Sequence, residues 1–477
     1  MKKLSFILDG LIKEKAPDIE VENIRYSPEE CKEKDILFLT GNKAKEDYMK
    51  LRPKSCAVVC DSLPENMEIA NIYIVENVRK TLAIALARFY CNDLTKLKFI
   101  GITGTNGKST TAIMVEKILS DQGLKVGYIG TGVIRIGNKI LSDRFYSMTT
   151  PPPELLYSSI RKMEDAGVEI VIMEVSSHAL KQERTAAIGF DIGIFTNLSE
   201  EHLDYHENMY DYFATKKKLF LESKMIVVNS DDRYGSIILK EFACAEGCGT
   251  DLKARVRIRD IISHGFSGTE FIYQSEGGEA KVNLQIPGKY NVYNAMLAIA
   301  CVEKLGVTVK DAKSSLEKIK KIEGRFNIIE SDITVIIDYA HTLNAFENLL
   351  KSVISNKNSR QNLFLVFGCG GERDKHKRSR IGSLCEKYSD NIILTSDNPR
   401  GENPMEIICD IKKSMKNPPT VIENRSKAIR FAIGAANAGD IVAIIGKGPE
   451  KYSIHGGIYS HFDEEDIVKN ALKERRP

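Results

Sequence analysis

The residues with the most evident chemistry are Gly101-Ile-Thr-Gly104-Thr105-Asn106-Gly107-Lys108-Ser109-Thr110. The apolar run before them, residues 97–100, suits a buried strand, and Ile113, Val115, Ile118 and Leu119 after them share one face of a helix. Strand, glycine loop and helix form the context in which a loop can wrap phosphate oxygens with backbone N–H groups. In that role Lys108 reaches the β- and γ-phosphates, and Ser109 or Thr110 meets Mg²⁺. The usual spacing places glycine where Ile102 stands, so this loop is a variant with glycines at 101 and 104.

Further along, Glu174 ends an apolar run, where a carboxylate can ligate the Mg²⁺ of a bound nucleotide or accept structural hydrogen bonds. His202-Leu-Asp-Tyr-His206 pairs two histidines suited to metal or phosphate; His206 equally suits a buried or capping role. Lys216-Lys-Lys218 suits a solvated helix face, but three successive ammonium groups cannot all point the same way from a helix, so there is room for one to face a site. Asp338-Tyr-Ala-His341 suits the adenine and ribose of a nucleotide, with Arg325, Asn291 and Asn294 as further polar groups near the expected domain junction. Gly370–Asp374, Lys377 and Arg378 supply cations, unless residues 375–380 are only a basic surface loop.

The elements that must position these groups alternate strand-like and helical runs. Strands are expected at 36–39, 56–59 and 72–75, with a helix at 79–90. They are expected again at 99–103, 169–175, 192–197 and 226–229, then at 335–338, 363–367, 392–395 and 441–445. Such alternation predicts parallel sheets with crossover helices. The polar motifs fall just after apolar runs, at the sheet edge where open α/β folds bind ligands. Three domains follow, at 1–94, 95–323 and 324–477.

Sixty-eight basic and 65 acidic residues leave a net charge of +3, which gives no overall footprint for nucleic acid. No apolar run approaches a membrane span, and Asp9 and Lys13 interrupt the N-terminal apolar patch too early for a secretory leader. The ten cysteines show no zinc spacing and read as free thiols of a reducing cytoplasm.

Together the motifs resemble the Mur ligases. The resemblance rests on Thr103–Ser109, Thr149-Thr-Pro151, Glu174-Val-Ser-Ser-His178, Thr196-Asn-Leu198, His202–His206, Asn291 and Asn294, Glu323-Gly-Arg325, Asp338–Thr342 and Asp397-Asn-Pro-Arg400. The Thr-Thr-Pro, Ser-Ser-His and Asp-Asn-Pro-Arg segments look like the branch that extends the muramyl dipeptide rather than the folylpolyglutamate synthetases, which share the ATPase core.

The resemblance implies a small N-terminal α/β domain for UDP, a central P-loop ATPase-like parallel-sheet domain and a C-terminal Rossmann-like α/β domain for the amino acid. It implies a monomeric cytoplasmic enzyme that uses ATP and Mg²⁺ to add meso-diaminopimelate to UDP-N-acetylmuramoyl-L-alanyl-D-glutamate through an acyl phosphate, with no nucleic-acid or membrane partner. L-lysine is the alternative amino acid; a folate-type ligase and a non-catalytic nucleotide-binding regulator are the other readings.

By the same resemblance, Gly104, Thr105, Asn106, Gly107, Lys108, Ser109, Thr110, Asn291, Asn294, Arg325, Asp338 and His341 hold ATP. Ser109, Glu174, His202 and Lys216 hold Mg²⁺, Lys216 as its carbamate. Ser27, Thr149, Thr150, Ser176, Gln182, Arg184 and His206 hold the UDP-muramyl peptide. The distal carboxylate that separates diaminopimelate from lysine would meet the planar fork of a buried Arg400, with Arg373, Asp397, Asn398, Gly446 and Glu450 around it. The chain departs from the family pattern at Arg25-Tyr-Ser27, Leu343, Glu372, His376–Ser379 and Pro449.

Overall fold

A computed structural model describes residues 1–62, 71–142 and 148–475. They form two compact units: 1–101, 124–193 and 215–224 in the first, and 102–123, 194–214 and 225–477 in the second. Among the described residues no helix is long and apolar enough to cross a membrane.

Near the N-terminus, β1 (Asn23–Arg25), β2 (Asp35–Phe38), β3 (Ala57–Cys60) and β4 (Ile72–Ile74) pair in that order, all parallel. Helix α1 (Val78–Tyr90) follows, its first turn capped by Asn77.

The largest sheet has eleven strands: β5 (Lys98–Thr103), β6 (Val126–Gly130), β7 (Val133–Ile136), β8 (Lys139–Ser142), β9 (Ile170–Glu174), β10 (Phe190–Phe195), β11 (Ser223–Asn229), β12 (Ala245–Gly249), β13 (Val256–Ser263), β14 (Thr269–Ser275) and β15 (Gly278–Leu284). Their order is β8-β7-β6-β9-β5-β10-β11-β12-β13-β14-β15. β9 runs parallel to β6, while β6-β7-β8 and β13-β14-β15 are antiparallel meanders. The helices that bear on function here are α2 (Lys108–Asp121), α3 (Pro153–Asp165), α4 (Ser177–Lys181), α5 (Met209–Leu221) and α6 (Lys289–Glu303).

The C-terminal sheet comprises β16 (Asn327–Glu330), β17 (Thr334–Asp338), β18 (Leu363–Phe367), β19 (Asn391–Leu394), β20 (Thr420–Val421) and β21 (Ile441–Ile445), ordered β16-β17-β21-β18-β19-β20. Only β16 is antiparallel to its neighbour. Leu363–Phe367 and Ile441–Ile445 are apolar at every position and buried throughout, as strands covered on both faces must be. One face packs on Leu350 and Val353 of α7 (Leu343–Asn356) and Ile381 of α8 (His376–Tyr388). The other packs on Ile429, Ile433 and Val468.

The strand expectations hold to within one to three residues at their ends. The expected strand at 192–197 stops at Phe195, which frees Thr196 and Asn197 to act as loop residues.

Candidate active site

In the second unit, β5 ends at Thr103 and the glycine loop opens α2. Gly107 has φ +87° and a Cβ there would lie 2.4 Å from Asn294 Oδ1, so both conformation and space demand glycine. Gly104 is held as closely, its Cβ position 1.9 Å from Thr196 Oγ1. The loop is braced from β10: Thr196 Oγ1 donates to Asn106 O at 2.6 Å, Asn197 Nδ2 to the same oxygen at 3.0 Å, and Asn106 N to Asn197 Oδ1 at 3.0 Å. Lys108 Nζ folds over the loop, donating to Gly104 O and Thr105 O.

A cavity of about 720 Å³ adjoins this loop, lined in part by Asn106, Asn197, Asn294, Arg325 and His341. Its volume is that of a ligand-binding site. Asn291 and Asn294, both buried on α6, bond to each other at 3.2 Å. Arg325 Nη2 donates to Ser109 Oγ at 3.0 Å, and its guanidinium lies 4.4 Å from the Tyr339 ring centroid. Asn106 and Thr342 meet at 3.3 Å, so the second unit gathers the loop and the first polar edge of the C-terminal sheet.

Asp338 also lines the cavity. Both its oxygens accept backbone N–H groups at 2.7 Å, from Phe326 and Ala340, which ties Phe326 to the end of β17. Burial raises its carboxyl above the ordinary value, against the opposing pull of Arg325 and those amides.

His202 takes a left-handed φ of +58°, and its carbonyl accepts Tyr205 N and His206 N. His206 is 1% exposed, with Nδ1 3.1 Å from Asp211 Oδ2 and its ring 5.0 Å from that of Tyr212. That enclosure suits the buried role, one of the two open to this histidine.

In the first unit, Glu174 ends β9 fully buried. Tyr128 Oη donates to its Oε1 at 2.7 Å and Thr131 N to the same atom at 3.2 Å. Thr150 Oγ1 donates to Glu174 O at 2.9 Å and lies 3.3 Å from Ser176 Oγ. Arg184 donates to Thr150 O at 2.7 Å and twice to Gln182 Oε1, and Thr131 Oγ1 reaches Thr149 Oγ1 at 3.4 Å. Thr149, Thr150, Glu174, Ser176, Gln182 and Arg184 are therefore one constellation. Of the three successive lysines on α5, Lys216 is the enclosed one at 2% exposure; Lys218 pairs with Glu183 at 2.6 Å. Ser27 precedes a 3-10 turn that begins at Pro28, and Arg25 pairs with Glu154 of α3 at 3.4 Å.

The remaining sites lie at the C-terminal ends of β19 and β21, again in the second unit. Buried Lys447 donates to Asn398 Oδ1 at 2.7 Å and lies 3.5 Å from Asp397 Oδ1. Asn398 Nδ2 donates to Glu450 Oε2 at 2.8 Å, and Tyr339 Oη to Glu450 Oε1 at 3.2 Å. Burial raises the Glu450 carboxyl, with Lys447 opposing and Asp397 adding to the rise. Gly446, at φ +125°, leaves room for Asp397. Arg400 sits at φ +52°, half-buried rather than buried; Nη1 donates to Gly371 O at 2.7 Å and reaches Asn398 O at 3.4 Å. Among the described residues no carboxylate pairs with Arg400 or Arg373.

Residues 375–380 are not a basic surface loop, nor do they supply two open cations. They open α8, and Arg378 is fully buried on Glu402 and Asp410. Lys377 pairs with Glu201 at 2.8 Å. Sequence reasoning also passed over Tyr128 and Lys447, whose only signals were a tyrosine two residues before Gly130-Thr131 and a lysine between two strand-end glycines.

Comparison with known proteins agrees with this layout. The Mur ligase middle domain matches residues 102–302, and the Mur ligase glutamate ligase domain matches 324–448. UDP-N-acetylmuramoyl-L-alanyl-D-glutamate–2,6-diaminopimelate ligase 1 of Clostridium acetobutylicum is 38% identical over 467 residues, 96% of each chain. A solved structure of a UDP-N-acetylmuramoyl-L-alanyl-D-glutamate–2,6-diaminopimelate ligase superposes with a TM-score of 0.69 at 27% identity over 99% of each chain. The MurF ligase of Thermotoga maritima in complex with ADP shares the fold, with a TM-score of 0.64 at 16% identity over 96% of this chain and 99% of that one. Matched by both domain models and alike from end to end to a curated relative, this chain belongs to the Mur ligase family.

Proposed function

We propose that this protein joins meso-2,6-diaminopimelate to UDP-N-acetylmuramoyl-L-alanyl-D-glutamate with cleavage of ATP, a step in making peptidoglycan precursors. Its relative of 38% identity carries that activity in its name. The observation that carries the choice of amino acid is Arg400, anchored through Nη1 on Gly371 O while no carboxylate of the described residues pairs with its guanidinium. A guanidinium held by one edge offers its other edge to a planar carboxylate.

The carboxylate of the muramyl dipeptide attacks the γ-phosphorus of ATP and releases ADP, forming an acyl phosphate. The amine of diaminopimelate then adds to the acyl carbon and loses a proton. The tetrahedral adduct expels phosphate and leaves an amide. ATP and a carboxylate repel each other, so cationic groups and fixed N–H donors must hold them in line. The braced loop at 104–110 and Lys108 serve the phosphates. Asn291, Asn294, Arg325, Asp338 and His341, which line the cavity, are assigned to its nucleoside side.

Ser109, Glu174, His202 and Lys216 are assigned to Mg²⁺. A hydroxyl at the first turn of α2, an enclosed carboxylate at a strand end and an enclosed lysine suit a hard cation that prefers oxygen. The lysine fits once its neutral amine adds CO₂ and releases a proton, becoming an anionic oxygen donor in place of a costly buried ammonium. When bound, Mg²⁺ neutralises phosphate charge. Ser27, Thr149, Thr150, Ser176, Gln182, Arg184 and His206 are assigned to the UDP-muramyl peptide. Arg373, Asp397, Asn398, Arg400, Gly446 and Glu450 are assigned to diaminopimelate, with Glu450 facing its distal ammonium. We assign domains at 1–94, 95–323 and 324–477, a monomer, and a cytoplasmic location where these nucleotide substrates reside.

The test is ADP release by purified protein with Mg-ATP. Turnover that requires both the muramyl dipeptide and diaminopimelate supports the assignment. ADP release indifferent to either compound removes it.

A further inference from the structure

Tyr128 lies on β6 and is 3% exposed. The parallel register sets Ile172 beside Tyr128 and Met173 beside Ile129, so the next pair is Glu174 beside Gly130. Alternation along both strands puts Tyr128, Gly130, Ile172 and Glu174 on one face. Strand side chains lean along the strand, and Gly130 has none to block the path. A Cβ at Gly130 would stand 2.2 Å from Tyr128 Oη and 2.4 Å from Glu174 Oε1. The phenol and the carboxylate meet in the space this glycine leaves, at 2.7 Å. That is the ordinary length of an O–H···O hydrogen bond. On the ring side, the Arg135 guanidinium lies 4.6 Å from the Tyr128 centroid and holds the phenol in place. Both the phenol bond and the Thr131 amide bond fall on Oε1, so two donors orient the carboxylate from that side.

We infer that Tyr128 is a positioning residue for the divalent cation: its O–H holds Glu174 Oε1 so that the carboxylate meets the metal in one orientation. The inference rests on the reading of Glu174 as a metal ligand. Groups that orient a ligating carboxylate typically govern metal affinity by about 10- to 100-fold. Loss of the phenol O–H therefore weakens metal binding, and saturating metal restores turnover.

Mn²⁺ serves as the probe, with free Mn²⁺ followed by electron paramagnetic resonance on the full-length protein. Tyr128→Phe removes one oxygen and keeps the ring on Arg135; its Kd for Mn²⁺ should rise about 10- to 100-fold. 4-Aminophenylalanine at position 128 restores a donor and should bring Kd back to within about 3-fold of the parent, below that range. In turnover assays the Mg²⁺ concentration for half-maximal rate rises in Tyr128→Phe, while kcat at saturating Mg²⁺ stays near the parent's. Tyr128→Met, which also lacks a donor, replaces the Phe variant if the latter loses its cooperative melt. Parent-like Mn²⁺ affinity in the donor-free variant, while Glu174→Gln has lost binding, overturns the inference. A loss that the aminophenylalanine does not restore overturns it as well. Parent-like affinity in Glu174→Gln removes the ligand role of Glu174, and the inference falls with it.

Discussion

Replacing Arg400 by alanine tests how the amino acid is chosen. Arg400 sits at φ +52°, but alanine carries the same Cβ, so the substitution adds no backbone strain. Its N–H to Ile454 O and its carbonyl to Gly456 N also survive, because both are main-chain bonds. What is lost is the guanidinium, including its 2.7 Å bond to Gly371 O. Hydrogen bonds to charged groups contribute about 1.5–3 kcal/mol each. A half-exposed fork making two such bonds to the distal carboxylate should contribute about 2–4 kcal/mol after solvent screening. At 1.36 kcal/mol per decade, this is a loss of roughly 30- to 10³-fold in kcat/KM for diaminopimelate. The distal carboxylate is remote from the reacting amine, so most of the loss should fall on KM. Lysine lacks the carboxylate and should lose little, which collapses the preference. Arg400→Lys keeps a point charge without the fork and should fall between. The assay is kcat/KM for both amino acids with all three proteins. An alanine variant that keeps its preference, or that loses both activities in equal measure, refutes the reasoning.

Lys108→Ala should lower turnover by about 10²-fold or more at saturating substrates, read as phosphate release, because it removes a charge held at the phosphate loop. Lys216→Ala should be nearly inactive and partly rescued by acetate, and the parent's intact mass should carry one CO₂ that is lost on acidification. Arg378→Met leaves Glu402 and Asp410 without their buried partner and should cost about 3 kcal/mol or more, measured by urea unfolding. The same pair sets an acid dependence. Arg378 holds the Glu402 carboxyl down to about 2 from 4.5, so its stabilisation is complete above about 4.5 and drains away as pH falls toward about 2. Arg378→Met should flatten that part of the stability profile.

The phosphate loop was legible because its glycines, lysine and hydroxyls are consecutive and follow an apolar run, a pattern set by local geometry. Glu174 was legible as the first polar residue after four apolar strand positions, and the helix left room for one lysine of three to turn inward; it is Lys216. The parallel C-terminal strands were legible because burial on both faces makes them unbroken apolar runs. Partners far apart in sequence were not. Arg378 reads as surface charge because Glu402 and Asp410 lie 24 and 32 residues away. Tyr128 reads as an ordinary strand residue because its carboxylate is 46 residues on. The meander of β13, β14 and β15 was missed since its alternating polar positions lack the apolar runs used to place strands. Asp338 was legible as a strand-end carboxylate, but its bonds to the Phe326 and Ala340 amides were not, because Phe326 lies 12 residues before it.

The central claim is the identity of the bond made. Purified protein with Mg-ATP and the UDP-muramyl dipeptide, offered meso-diaminopimelate and L-lysine at equal concentration, settles it by tandem mass spectrometry of the product. The account predicts a UDP-muramyl tripeptide whose fragments place diaminopimelate in amide linkage on the glutamate. A lysine adduct as the main product, or no adduct while ATP is still cleaved, contradicts it.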